Sequence, residues 1–220
     1  MSIAIVDAGL GNLRSVANAV AALGAAPAIV RSPHDLAAAD AIILPGVGAF
    51  GDGMRRLRAG GWVPALEQAV LGEGKPFLGI CLGMQLLASR GTEHGDHAGL
   101  GWLDGTVTRL PGGDPAVRVP HVGWNDVEIA GDGGMYAGCG PAPDFYFVHS
   151  YRFEPADPAV VTGWCTHGVR FAASVARGNI RAVQFHPEKS QGAGMAVLRN
   201  FLPAVPATPA APVILEVTMC

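Results

Sequence analysis

Charge is scarce in this chain, and what there is has no single-signed concentration. Of 220 residues only 15% are Asp, Glu, Lys or Arg, the formal net charge is -3, and the arginines are scattered. Binding to nucleic acid or to an anionic membrane draws on a clustered basic surface, so neither is expected as a partner. Long apolar runs are also missing, with no window near the roughly 18 residues that would suggest a membrane span. The opening residues MSIAIVDAGLGNLRS lack the charged start, apolar stretch and small-residue cleavage site of a secretory signal, and a cytoplasmic location is the expectation. Cysteine is sparse. Cys81, Cys139, Cys165 and Cys220 form no CxxC pair and no zinc-ligand spacing, which predicts free thiols. The loop EHGDHAG, with His94 and His97, reads as solvated rather than as a metal site, and no metal or cofactor is expected.

What the chain has in quantity is apolar residues (50%), glycine (31) and proline (17), the composition of a compact fold with many tight turns. IAIVD (3–7) reads as a strand, and Leu13, Val16, Ala17, Val20 and Leu23 follow at helical spacing up to Gly24. PAIVRS (27–32), AIILPG (41–46) and PFLGIC (76–81) are further apolar strands, each followed by a helical segment, the last being LGMQLLAS. This alternation predicts an α/β fold with a mostly parallel central sheet flanked by helices. Beyond about residue 100 short β-type segments broken by Gly, Pro and Asp predict antiparallel strands added to that sheet, and GAGMAVLRNFL (192–202) predicts a last helix. Residues 1–202 are expected to form the domain, and 203–220 a Pro/Ala-rich extended tail.

In a parallel sheet ligands collect at the carboxyl ends of the strands, where Cys81 sits between Gly79 and Gly83. Small residues flanking a nucleophile permit a tight strand-to-helix turn that exposes it, and the following helix start, with the Leu82 N–H, favours a thiolate and an oxyanion. The competing reading is a packed core thiol. A nucleophilic cysteine needs an oriented base. His186 in AVQFHPEKS follows a strand, and Glu188, two residues on, lies on the same side of an extended backbone. H-x-E is also a common solvated turn. ILPGVGAFG (43–51) ends another strand, with Gly46 and Gly48 free to bring backbone N–H groups to an oxyanion; it lacks the spacing and the GK[ST] ending of phosphate loops.

PGVGAFG, GICLGMQLL, PHVGWN, YFVHSY and QFHPEKSQ, in this order, resemble the class I (triad) glutamine amidotransferases, a flavodoxin-like group, and within it the glutaminase subunits of imidazole glycerol phosphate synthases. The resemblance covers roughly residues 3–202. It implies that Cys81 attacks L-glutamine to form a thioester, that His186 moves the proton, and that Glu188 orients the imidazole. The backbone of Leu82 and of Gly46–Val47–Gly48 would hold the oxyanion. Gly46, Gly48, Gln85, His149, Ser150 and Tyr151 would bind glutamine, although Tyr151 also reads as a packing aromatic. The implied partner is a (β/α)8-barrel cyclase in a heterodimer, met near Asn12, Pro120, His121, Val122, Gly123 and Trp124. Ammonia would be channelled to it, yielding imidazole glycerol phosphate and an aminoimidazole carboxamide ribotide in histidine biosynthesis. A glutaminase subunit of an anthranilate or aminodeoxychorismate synthase, or a catalytically silent domain on the same fold, are the alternatives.

Overall fold

The computed structural model describes residues 1–11, 13–113, 117–131 and 134–202. Asn12, Cys220 and the 203–220 tail lie outside the described residues. In chain order the strands and helices are β1 (Ser2–Val6), α1 (Leu13–Ala22), β2 (Ala26–Val30), β3 (Ala41–Gly46), α2 (Phe50–Ala59), α3 (Trp62–Leu66), β4 (Phe77–Cys81) and α4 (Leu82–Gln85). They continue with β5 (Ala88–Gly91), β6 (His97–Ala98), β7 (Leu103–Arg109), β8 (His121–Asp126), β9 (Glu128–Ile129), β10 (Asp144–His149) and β11 (Tyr151–Pro155). The last are β12 (Val161–His167), β13 (Val169–Arg177), β14 (Ile180–Val183) and α5 (Gln191–Phe201).

The main sheet has the order β2-β1-β3-β4-β14-β13-β12-β9, parallel from β2 to β14 and antiparallel from there on. β3 and β4, at its centre, are apolar and buried at every position because both faces are covered. Alternate residues divide between two cores, as period-two side chains must. Ala4, Val6, Ile42 and Leu44 pack with Met54, Leu57, Trp62 and Leu66 of α2 and α3. Ile3, Ile5, Ala41 and Ile43 pack with Val16 and Val20 of α1 and with Val197, Leu198 and Phe201 of α5. None of the described helices is long and apolar enough to cross a membrane.

Two expectations change. Among the later strands only β9, β12, β13 and β14 join the main sheet; β8 and β10 pair as a separate ribbon, and β5, β6, β7 and β11 form a second small sheet. The helix expected over LGMQLLAS stops at Gln85, after four residues. The carbonyls of Leu86, Leu87 and Ala88 accept from the N–H groups of Leu100, Leu103 and Gly101, so the chain bonds sideways to the small sheet instead of continuing the helix. With so short a helix, little of the expected dipole reaches Cys81.

Candidate active site

Three neighbouring parallel strands deliver the site. β3 and β4 end side by side, Gly46 paired with Cys81, and β14 beside them runs on through Gln184 and Phe185 to His186. The β4 turn is as sharp as its glycines suggested. Cys81 has φ 54° and ψ -109°, a backbone that a residue with a Cβ adopts only under strain. A Cβ on Gly83 would lie 1.9 Å from the Leu44 carbonyl oxygen, and one on Gly79 would lie 2.6 Å from that of Gly83. Neither position has room for any side chain.

Cys81 lines a cavity of about 390 Å³, together with Val47, Gly48, Ala49, Leu82, Gln85, Glu93, Pro120, Val148, His149, Ser150 and Tyr151. Cys81 is only 6% exposed and packs within a hydrophobic core, yet it also lines this cavity, so both readings of the thiol have an observation behind them. Cys139 and Cys165 are free thiols that burial pushes upward in pKa, Cys165 to about 12, and both are poor nucleophiles.

His186 and Glu188 sit behind the cavity wall, both nearly inaccessible, with His186 Nδ1 and Glu188 Oε1 2.9 Å apart. The pair forms by a different route from the extended one expected. Residues Pro187–Lys189 make a 3-10 turn, opened by the proline, that folds Glu188 back onto the imidazole. Ser190 Oγ donates to the His186 carbonyl (2.6 Å) and accepts from the Tyr146 N–H (3.0 Å), and the His186 N–H donates to the Tyr146 carbonyl (2.9 Å). Phe185 stacks on Phe145 at 4.0 Å, so His186 is fixed on both sides of the chain to β10. Burial disfavours the charged ring, but hydrogen bonding and charge from Cys81 and Glu188 outweigh it and raise His186 to about 9. His186 Nε2, the ring nitrogen that Glu188 does not hold, is buried on the Cys81 side with no hydrogen bond of ordinary length and angle, which leaves it open to a ligand.

The remaining expected residues divide. Gly48 lines the cavity with φ 104°, open to glycine, and nothing lies within 4 Å of where a Cβ would stand. The Val47 N–H, expected at an oxyanion, donates instead to the Leu10 carbonyl at 2.5 Å. Gly46 is buried beneath the cavity, paired in the sheet, and does not line it. Gln85 commits both N–H groups inside the protein, to the Tyr151 carbonyl and to Gln184 Oε1, each at 2.9 Å. Only its Oε1 can serve a ligand, as an acceptor. Tyr151 fills both of its readings, since it packs on the core and lines the cavity.

On β8, alternation separates the expected partner residues. Val122 and Trp124 are 56% and 48% exposed, whereas His121 turns inward and is 3% exposed. His121 is thus no surface contact; its Nδ1 lies 3.0 Å from His149 Nε2, and its ring stacks on His167 at 4.0 Å. Glu93 was missed. It lies in the loop read as solvated, yet its side chain turns inward, accepts from the Phe50 N–H at 2.8 Å and is the one carboxylate lining the cavity. No pattern in EHGDHAG separates Glu93 from its exposed neighbours. Gln184 was missed too, although a glutamine within the apolar run IRAVQF is itself a signal.

The profile of the family described as glutamine amidotransferase class-I matches residues 4–205. A protein of Zymomonas mobilis named imidazole glycerol phosphate synthase subunit HisH is 49% identical over 205 residues, covering 91% of this chain and 95% of that protein. One of the same name from Moorella thermoacetica is 49% identical over 199 residues, covering 90% and 93%. Among solved structures, PurLQS from Thermotoga maritima superposes with a TM-score of 0.72 at 20% identity, covering 91% of this chain and 96% of that one. A structure described as a glutamine amidotransferase gives 0.70 at 23%, covering 90% and 96%. At such identities the structural likeness speaks for the fold.

Proposed function

The chain belongs to the class-I glutamine amidotransferase family, and from that premise we propose that it is the glutaminase subunit of an imidazole glycerol phosphate synthase, acting in the cytoplasm in histidine biosynthesis. The observation that carries this is the buried His186–Glu188 pair behind a strained cysteine at a cavity wall. Residues 1–202 form the amidotransferase unit.

The sulfur of Cys81 attacks the side-chain carbonyl carbon of glutamine, forming a C–S bond. His186, held protonated at neutral pH, gives its proton to the amide nitrogen as the C–N bond breaks and ammonia leaves. Neutral His186 then takes a proton from water, whose oxygen attacks the thioester; the C–S bond breaks and glutamate is released. Glu188 holds the imidazole by Nδ1 throughout, leaving Nε2 for the transfers. Glu93 offers its carboxylate to the substrate ammonium group, and Gln85 Oε1 accepts from the same end.

Ammonia passes to a (β/α)8-barrel cyclase subunit. Exposed Val122, Trp124 and Val148, paired on the β8–β10 ribbon beside the cavity, offer that partner an apolar face. The anthranilate-type alternative is not favoured by the relatives' names.

The test is glutamine turnover by this chain mixed with candidate synthase partners, each with its own acceptor. Turnover should be low alone, rise with the barrel cyclase and its ribonucleotide, and vanish in Cys81→Ala, which still docks. Wild-type turnover in Cys81→Ala, or stimulation by a different synthase partner alone, would contradict the assignment.

A further inference from the structure

Gln184 is completely buried, at the exit of β14 two residues before His186. A side-chain amide removed from water must find partners for both its halves. Here the donor and acceptor roles follow from one backbone carbonyl. The Tyr151 carbonyl can only accept, and it receives His149 Nδ1–H at 2.8 Å and Gln85 Nε2–H at 2.9 Å. The second hydrogen of that Gln85 amide nitrogen goes to Gln184, so the atom of Gln184 facing it must be the oxygen, Oε1. Gln184 is thereby obliged to turn Nε2, a donor, towards Cys81 Sγ, 3.7 Å away. The main chain is pinned as well, by its N–H to the Ala173 carbonyl at 2.8 Å.

We infer that Gln184 is a further residue of the catalytic site, whose amide N–H holds the Cys81 sulfur and stabilises it as a thiolate. This rests on the glutaminase reading above and adds to it a second group acting on the reacting atom, besides His186. Gln184 transfers no proton. A hydrogen bond to sulfur is strongest when the sulfur is charged, before attack and again as it leaves the thioester, and weakest in the thioester itself. Gln85 is the positioning residue that fixes which end of Gln184 meets the sulfur.

The experiment is alkylation of Cys81 by iodoacetamide across pH, in the full chain, with Cys81→Ala as the blank for the other thiols. In Gln184→Met the rate at pH 7 should fall about tenfold and the profile should move to higher pH, as expected for losing a hydrogen bond to a charged group. Gln184→Glu, equal in size but facing the sulfur with a carboxylate oxygen, should react more slowly still, and it carries the test if the Met variant does not fold. Glutamine turnover with the partner should lose about tenfold in kcat with KM changed much less. Folded variants whose alkylation profiles superimpose on the wild type would overturn the inference. Slowed alkylation in a protein whose wild type turns over no glutamine would leave the sulfur-holding role standing and remove the substrate reading instead.

Discussion

Lowering the pH from 7 to 5 should destabilise this fold well above the range where its carboxylates titrate, and the cause is the buried histidine pair beside the cavity. His149 Nδ1–H donates to the Tyr151 carbonyl, so its Nε2 must accept from His121 Nδ1–H, and His121 Nε2 in turn accepts from Asn125 Nδ2 at 3.2 Å. The chain of donors works only with both rings neutral. Burial, with the charges of His149 and His167, lowers His121 to about 3. Burial lowers His149 to about 4 against the Tyr151 hydrogen bond, with His167 and His186 adding to the lowering. In the unfolded chain both regain ordinary values near 6.5, so below that pH the unfolded state binds more protons and stability falls with pH. At about 1.4 kcal/mol per unit, each ring loses about 2 kcal/mol between pH 7 and 5. His186 works in the opposite sense. Raised to about 9, its contribution is complete below the unfolded value and disappears as pH rises through 9, so acidification adds about 1 kcal/mol there. The net loss is about 3 kcal/mol, which for a urea slope of about 2 kcal/mol/M moves the unfolding midpoint down by about 1.5 M. Urea melts at pH 7, 6 and 5 read it directly. His121→Phe, which keeps the ring stacked between Phe147 and His167, removes one of the two titrations and should cut the net loss from about 3 to about 1 kcal/mol. A midpoint unchanged between pH 7 and 5, or a full loss retained in His121→Phe, would refute the reasoning.

Gly83→Ala drives a Cβ to 1.9 Å from the Leu44 carbonyl oxygen, so β3 must move, and a loss of about 3 kcal/mol or failure to fold is expected. Gly192→Ala in α5, with nothing within 4 Å, should be neutral or raise the melting temperature slightly; equal melts for the two variants would dismiss the close-approach argument. Cys81→Gly should melt above Cys81→Ala, because glycine adopts φ 54° without the strain of about 1 kcal/mol or more that a Cβ brings. Both should lack activity, and an alanine variant at least as stable as the glycine one would mean that the elbow stores no strain.

The parallel core was legible because its strands are covered on both faces: a run such as AIIL is apolar throughout, and only a buried parallel strand or a longer helix reads that way. The sharp strand-to-helix turn at Cys81 was legible because its glycines are required by backbone contacts, which leave a mark on sequence. Less was legible where long-range bonding competes with local preference. LGMQLLAS has good helical character, yet Leu86 to Ala88 bond to residues 100–103, and no local pattern records that. His186 and Glu188 were paired correctly on a mistaken backbone, since H-P-E gives the spacing and not the turn. Glu93 and Gln184 were missed because their roles depend on which way a side chain faces, inward under α2 and towards Cys81.

The same distinction bears on what the isolated subunit can do. His186 and Glu188 are already paired with each other in a buried setting, whereas one expected oxyanion donor is spent inside the chain, the Val47 N–H on the Leu10 carbonyl. To reach a tetrahedral intermediate that N–H must give up its bond, and the Leu10 carbonyl must find another donor, an exchange that removes about 1 kcal/mol or more from the resting loop. An oxyanion donor contributes about 3 kcal/mol to a transition state, so a population in which the exchange is unfavourable loses a corresponding part of the rate. Gly48, with its open φ, gives the loop a place to turn, and the Val47 side chain is 47% exposed. On the proposed reading, a docked subunit need not touch Cys81, His186 or Glu188, only favour the loop conformation in which the Val47 N–H turns to the cavity.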